Sequence, residues 1–255
     1  MNCDQLTIEF LGTGTSTGVP QIGCQCAVCR STDPRDKRLR ASAIVTYRGK
    51  RLLIDCGPDF RQQILSASNW QLDALLLTHN HFDHIGGIED LRVHSARGTF
   101  PIYARPDVIT SLRERLPYCF SAHHYPGAPV LNILPIADQP FEVCGIEVTP
   151  IPVMHNMPIV GFKIGPMAYI TDAKSICPAV VDSLKGVRLL VINALRIEPH
   201  PTHMSLSECL DVVRRINPDR TYLIHMSHGI GLHDEVSRNL PSGVELAYDG
   251  LKVTL

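Results

Sequence analysis

The sequence predicts an α/β fold with two β-rich halves. Three observations carry that reading. Short apolar or alternating runs of strand length recur along the chain, and helical spacing falls between several of them. Of the 255 residues, 44% are hydrophobic, enough for a sizeable core. No internal repeat, low-complexity tract or linker breaks the pattern, so residues 1–255 read as a single domain.

The elements follow in order. LTIEFLG (Leu6–Gly12) alternates and runs into a Gly/Thr/Ser turn, GTGTSTGVP. ASAIVTYRG and KRLLIDCG predict two strands joined at Arg48–Lys50. DFRQQILSAS (Asp59–Ser68) has helical spacing at Phe60, Ile64 and Leu65, and ALLLT is a short buried strand. GGIEDLRVHSARG (Gly86–Gly98) reads as a helix ending at its last glycine. PIYAR is a strand, and PDVITSLRERL (Pro106–Leu116) is a helix with Pro near its start. The Pro-rich stretch Tyr118–Gln139 carries the weakest pattern. Beyond it, FEVCGIEVTPIPV predicts a hairpin turning at Gly145, and VGFKIGPMAYITD another at Gly165–Pro166. VRLLVINAL is a buried strand. MSLSECLDVVRRIN (Met204–Asn217) is an amphipathic helix in which Ser205 and Glu208 match a capping box. RTYLIHMS is a strand, and VELAYDGLKVTL a terminal hairpin turning at Asp249–Gly250.

Charge and cysteine usage narrow the class. A formal net charge of -1 provides no broad basic field for nucleic acid. The run RSTDPRDKRLR (Arg30–Arg40) is locally basic, but Asp33 and Asp36 dilute it, and it is expected as a solvated loop. No apolar stretch reaches the roughly 20 residues that span a bilayer. The N-terminus MNCDQLTIEFLG has an early acid and no basic region, so no signal peptide is expected. Nine cysteines in such a chain are expected as reduced thiols in the cytoplasm. Cys56, Cys119, Cys144, Cys177 and Cys209 lie in apolar or mixed contexts and are expected as buried small hydrophobes.

Two short stretches carry chemistry. THNHFDH (Thr78–His84) places three histidines and one aspartate directly after ALLLT. In extended backbone His79 and His81 point the same way and can reach one metal, while the following turn can swing Asp83 and His84 toward a second. A lone histidine is more often a surface or satisfied core residue; four such donors behind a buried strand are not readily explained that way. GCQCAVC sets Cys24, Cys26 and Cys29 at a spacing that holds one zinc once a fourth ligand is found. The alternative, a loop of free thiols, is an unfavourable cluster of reactive groups.

THNHFDH resembles the H-x-H-x-D-H signature of the metallo-β-lactamase-fold hydrolases. The resemblance implies a four-layer αββα sandwich with two metals at the edge between its sheets. It also implies three further ligands, each following a later strand: His155 in PVMHN, Asp172 in YITDA and His225 in YLIHMSH. By this pattern His79, His81 and His155 hold one metal, Asp83, His84 and His225 the other, and Asp172 bridges. LIDCG (Leu53–Gly57) also resembles the family, leaving Asp55 either as a support beneath the ligand loop or as an ordinary strand-end residue. The Cys loop within residues 20–30 is similar to that of the PhnP branch, phosphodiesterases attached to the carbon–phosphorus lyase pathway. There a His just past the last active-site His completes a structural zinc, which points to Cys24, Cys26, Cys29 and His228. PQQ-biosynthesis B proteins have a related Cys loop. The glycines of GTGTSTGVP are expected to let backbone approach the metals closely.

The implied function is a dinuclear phosphodiesterase acting on a small phosphate ester, cyclic ribose or nucleotide phosphates included. Its cofactors would be two divalent ions, Mn2+ or Zn2+, and one structural Zn2+. Asp83 would also take a hydrogen bond from the nucleophile. His203 matches a non-ligand His of the branch and is expected as general acid, with a neutral-range pKa; His200 is the fallback. His94 and His233 are expected as bystanders, and His123–His124 as a solvated loop or a pocket rim. Asp249 is either a recurring family Asp or simply part of its turn. No membrane partner and no nucleic acid are expected, and a homodimer is the assembly common in the branch. The competing functions are RNA processing like tRNase Z, disfavoured by the lack of a long basic arm, a β-lactamase, disfavoured by the lack of an export signal, and a non-catalytic carrier like PQQ-biosynthesis B proteins.

Overall fold

The computed structural model describes residues 5–95, 98–120 and 127–255. Its strands are β1 (Leu6–Gly12), β2 (Ser42–Tyr47), β3 (Lys50–Ile54), β4 (Ala74–Leu76), β5 (Phe100–Ala104), β6 (Leu131–Pro135) and β7 (Phe141–Val143). The second half adds β8 (Ile146–Met154), β9 (Pro158–Ile164), β10 (Met167–Ile170), β11 (Leu189–Asn193), β12 (Arg220–Ile224), β13 (Val244–Leu246) and β14 (Lys252–Thr254). They form two sheets of seven strands, β14-β1-β2-β3-β4-β5-β6 and β13-β12-β11-β10-β9-β8-β7. Each sheet is antiparallel toward one end and parallel toward the other, with β3–β6 parallel in the first and β10–β13 in the second.

Local sequence accounts for the joints. Arg48 and Gly49 both take positive φ, 48° and 75°, which closes the β2–β3 hairpin with a two-residue turn matching strand twist. The helix Leu206–Ile216 starts with the capping box at Ser205 and Glu208, and ends at Asn217 in the left-handed conformation.

Three apolar layers hold the sandwich. Phe10, Val45 and Leu52 of the first sheet meet Phe162, Tyr169 and Tyr222 of the second between the sheets. Helices Phe60–Ser66 and Pro106–Arg115 cover the outer face of the first sheet through Phe60, Ile64, Val108 and Leu112. Helices Pro178–Ser183 and Leu206–Ile216 cover the second through Val181, Cys209 and Val213. This is the αββα arrangement. No helix among the described residues is long and apolar enough to cross a membrane.

Several expectations are corrected. β13 and β14 do not pair as a hairpin: β13 ends the second sheet beside β12, and β14 joins the first beside β1. The segment at Asp249–Gly250 therefore crosses between sheets. The Pro-rich stretch contains β6, an edge strand ending at its one proline, Pro135. The expected helix 86–98 is a 3-10 turn, Ile88–Leu91, followed by Arg92–Ser95. Cys144 and Cys177 are exposed rather than buried: Cys144 stands at a turn, and Cys177 directly precedes the helix Pro178–Ser183. The run Arg30–Arg40 buries Asp36 and Arg38: Asp36 accepts from Ser31 and from the His233 backbone, and Arg38 donates to Thr13 and the Ala247 carbonyl. His233 is accordingly buried at the start of a helix, beside Arg38. A Cβ on Gly12 would lie 2.0 Å from the Arg40 carbonyl oxygen, and one on Gly14 2.9 Å from the Arg38 Cβ, so these glycines serve close packing on residues 38–40 rather than on the metal ligands. His123 and His124 lie outside the described residues.

Candidate metal centre

The site is built at strand ends. Asp55 follows β3, Thr78 and His79 follow β4, His155 follows β8, Asp172 follows β10 and His225 follows β12. Asp55, Asp172 and His225 have φ of 58°, 57° and 57°. Each is a non-glycine residue in the left-handed region, which costs on the order of 1 kcal/mol or more. The same reversal at three strand ends turns each side chain back across the edge of the sandwich.

Hydrogen bonds then fix the ring orientations. Asp55 Oδ1 accepts the Thr78 backbone N–H at 2.9 Å, and Oδ2 accepts Thr78 Oγ1 at 2.8 Å and His84 Nδ1 at 2.7 Å. The carboxylate can only accept, so the Thr78 hydroxyl proton points to it. His79 Nδ1, 3.0 Å from the same hydroxyl, must therefore donate. His155 Nδ1 donates to the Thr202 carbonyl at 2.6 Å. In all three rings Nε2 is left as the lone-pair donor, the arrangement of metal-ligating histidines.

Those lone pairs converge. The donors of His79, His81 and His155 lie within 4.8 Å of one another, as do those of Asp83, His84, Asp172 and His225. Asp172 also groups with His155 and His203, which places it between the two sets. His84 Nε2 is 3.2 Å from both Asp83 Oδ2 and Asp172 Oδ2, and His225 Nε2 is 3.1 Å from Asp172 Oδ1. Yet Nε2 of His79, His84 and His225 is buried without a hydrogen-bond partner. Orphaned lone pairs on buried rings, facing two carboxylates, are what divalent cations satisfy, so the donor set fits metal.

Electrostatics agree. Burial holds His79 well below its ordinary range, so the ring is neutral and able to ligate. Burial pulls His84 the same way, but Asp172, Asp83 and Asp55 outweigh it and hold its pKa well above the ordinary range, so without a cation its Nε2 keeps a proton that a metal would displace. Burial also opposes ionisation of Asp83 and Asp172, yet His84 and His225 keep both well below the usual carboxylate range. His203 adjoins this cluster, with its ring 4.5 Å from that of His155 and its Nδ1 3.7 Å from Asp172 Oδ1. Burial, then His225, pushes its pKa down to about 3, far from the expected neutral range, so the free protein carries it uncharged. His200 packs on His203, ring centroids 5.2 Å apart.

The cysteine loop forms a second donor set. Cys24, Cys26, Cys29 and His228 bring their ligand atoms within 4.8 Å of one another, and Cys24 and Cys26 Sγ each lie 3.3 Å from His228 Nδ1. The backbone N–H of Cys29, then His228, draws the Cys26 thiol down to about 6, while burial pushes Cys29 up to about 11. Val19 and Val28 pack around Cys29 as a small core. Backbone bonds from Thr15 N to Met226 O and from Met226 N to Thr13 O, both 3.0 Å, tie the N-terminal turn to the segment joining His225 and His228.

All eleven expected ligands are thus gathered into these clusters. Sequence reasoning missed three supports. Thr78 and the Thr202 carbonyl orient rings as described. Asn193, buried at the end of β11, accepts from Ala173 N at 2.8 Å and donates to Ala173 O at 2.9 Å, pinning the loop behind Asp172. An Asn inside the apolar run LLVINAL is a signal that was there to read. Asp249 lies apart: it accepts from Thr13 Oγ1 at 2.8 Å and Leu39 N at 2.7 Å, so it is more than a turn residue.

Comparison with known proteins agrees with this architecture. The model of the beta-lactamase superfamily domain matches residues 50–226. A crystal structure of a new diphosphatase from the PhnP family is 38% identical, with a TM-score of 0.91 over 98% of this chain and 97% of that one. An octanoyltransferase of Porphyromonas gingivalis (strain ATCC BAA-308 / W83) is 47% identical over 250 residues, 96% of this chain but 51% of that protein. Coenzyme PQQ synthesis protein B of Methylorubrum populi is 32% identical over 168 residues, 60% of this chain and 54% of that protein. The chain thus spans about half the length of the curated relatives it matches. Zinc-bound PqqB from Methylobacterium extorquens shares the fold, with a TM-score of 0.82 at 22% identity over 98% of this chain and 100% of that one. Strand-end donors, two packed sheets and these matches lead to one conclusion: the chain belongs to the beta-lactamase superfamily, as a metallo-β-lactamase-fold hydrolase of the PhnP-like branch.

Proposed function

We propose that this protein is a phosphodiesterase that uses two divalent ions, Mn2+ or Zn2+, to hydrolyse a small phosphate ester. The observation that carries the reading is the two neighbouring donor sets, with Asp172 of one also grouped with His155 of the other, in which Nε2 of His79, His84 and His225 is buried without a hydrogen-bond partner. His79, His81 and His155 would hold one ion, Asp83, His84 and His225 the other, with Asp172 between them. A third ion, zinc, would sit among Cys24, Cys26, Cys29 and His228. Bound in this way, the paired ions supply Lewis acidity, activating water near neutral pH and offsetting charge on the phosphoryl oxygens.

The chain's own groups do the rest. Asp55, through Thr78 and His84, keeps the ligand rings from rotating. Asp83, held ionised, accepts a hydrogen bond from the attacking water. His203, at the edge of the cluster, reaches the leaving oxygen and supplies its proton. Its low pKa in the free protein means that it takes this proton up from solvent as substrate binds, the anionic phosphate favouring the imidazolium.

The diphosphatase neighbour supports a phosphoryl substrate. The octanoyltransferase name belongs to a protein about twice the matched length. The test is turnover of bis-p-nitrophenyl phosphate by the manganese-loaded protein beside p-nitrophenyl octanoate. Hydrolysis of the diester, lost in Asp172→Ala, is expected. Inertness toward every phosphodiester with both ions bound would leave the carrier reading standing, and selective cleavage of the octanoate would replace the phosphoryl substrate with an acyl one.

A further inference from the structure

Thr171 directly follows β10 and precedes Asp172, and both residues are buried. Its hydroxyl lies 2.6 Å from Asp172 Oδ2. An ionised carboxylate can only accept, so the hydroxyl donates. Three imidazoles also face this carboxylate: His84 Nε2 at 3.2 Å from Oδ2, and His225 Nε2 at 3.1 Å and His203 Nδ1 at 3.7 Å from Oδ1. Once His84 and His225 give their lone pairs to a cation, their contacts no longer hold the carboxylate. The bond from Thr171 needs no ion and survives. The backbone around Asp172 is pinned by other groups. Ala173 N donates to Asn193 Oδ1 at 2.8 Å, Met204 N to Ala173 O at 3.0 Å and Lys174 N to Met154 O at 2.7 Å. None of these bonds reaches the carboxylate, whose rotation about Cβ–Cγ is intrinsically broad. The loop thus places the Asp172 main chain and leaves the plane of its carboxylate to Thr171.

We propose that Thr171 is a positioning residue whose hydroxyl locks the Asp172 carboxylate with Oδ2 toward His84 and Oδ1 toward His225 and His203, the orientation in which two ions can share it. This rests on the two-ion phosphodiesterase reading and goes beyond it by assigning a residue outside the ligand set. An orientation fixed beforehand costs no ordering when an ion arrives, so the bond raises metal affinity without supplying a ligand. The methyl group of Thr171 has no part in this; the hydroxyl alone carries it.

Two pairs of proteins isolate the hydroxyl. Thr171→Val removes it from the wild type at nearly constant shape, and Thr171→Ala lacks it relative to Thr171→Ser, neither of which has the methyl. In each pair, loss of the hydroxyl is expected to lower affinity for manganese at the paired site about 10- to 100-fold, measured by competition with a chelator, while Thr171→Ser stays near the wild type. Circular dichroism checks folding, and the serine–alanine pair decides the matter if Thr171→Val does not fold. Equal affinities within a pair overturn the proposal. So does a Thr171→Ser as weak as Thr171→Val, which would make shape rather than the hydroxyl the cause. A second readout uses bis-p-nitrophenyl phosphate. In Thr171→Val, kcat is expected to recover as Mn2+ is raised while KM holds; a kcat that stays low at saturating Mn2+ overturns the positioning role. Because chelator competition needs no turnover, failure of this role and failure of the phosphodiesterase reading are told apart.

Discussion

His84 Nδ1 donates to Asp55 Oδ2 across 2.7 Å, with both side chains fully buried. Asp55 stands outside the ligand set, yet the direction of His84 Nε2 toward the paired site depends on it. Asp55→Asn keeps a residue that tolerates the left-handed backbone, so the fold is expected to survive. It replaces one carboxylate oxygen with an amide donor and weakens the hold on His84 and Thr78. Affinity for the active-site metal should fall about 10- to 100-fold. Competition with a chelator measures this, with far-ultraviolet circular dichroism as the check on folding; unchanged affinity would remove Asp55 from the site's support.

The cysteine loop makes a separate claim. Cys26→Ala should release one equivalent of zinc and lower the melting temperature, because Cys24, Cys29 and His228 cannot close a tetrahedron alone. Eleven to thirteen residues before Cys26, Thr15 N donates to Met226 O and Thr13 O accepts from Met226 N, holding Met226 next to His225. A loosened loop is therefore expected to lower activity too. Metal analysis beside a melting curve tests this: full zinc content with an unchanged melt would refute a structural metal.

His203 is tested through the leaving group. A p-nitrophenolate leaves without a proton, whereas an alkoxide needs one. His203→Ala should lower kcat about 10²- to 10⁴-fold for an alkyl phosphodiester and far less for bis-p-nitrophenyl phosphate. Equal losses for both esters would make His203 a positioning residue, and His200, whose ring packs on it, becomes the acid to examine.

Asp249 makes a prediction about pH. Burial pushes its carboxyl from 3.8 up to about 6, against the hydrogen bonds from Leu39 and Thr13 and the charge of Arg38. The folded protein then holds this proton more tightly than the unfolded chain. The stabilisation is fully present below about pH 4 and is lost as pH rises toward 6. A shift of about two units corresponds to roughly 3 kcal/mol. Denaturant melts of wild type and Asp249→Asn between pH 4 and 7 should show the variant gaining relative to the wild type as pH rises. Parallel curves would mean that Asp249 titrates as it does in the unfolded chain.

Much of the candidate site is legible because its signals are local. Within THNHFDH, His79, His81, Asp83 and His84 are close in the chain, so covalent spacing alone brings them near one another. The same holds for Cys24, Cys26 and Cys29. The capping box at Ser205 and Glu208 and the turn at Arg48–Gly49 form as expected for that reason. The terminal hairpin fails for the matching reason. Asp249–Gly250 reads as a turn whether the flanking strands pair with each other or, as here, part to different sheets. The burial of Asp36 and Arg38 was equally invisible, since their partners His233 and Ala247 lie about two hundred residues away.

The sequence by itself determined which donors exist and that an α/β fold with two β-rich halves was to be expected, while the sandwich came from the family resemblance of THNHFDH. Only the tertiary structure decided that His155, Asp172 and His225 meet the Thr78–His84 turn, that Asp172 lies between two donor sets, and that Asn193 and Thr202 support them. The physical reason is range. A residue's spacing to its neighbours is written in the chain, but the meeting of loops far apart in sequence depends on strand order, sheet packing and the left-handed reversals at Asp55, Asp172 and His225, which exist only once the two sheets have closed on their common core.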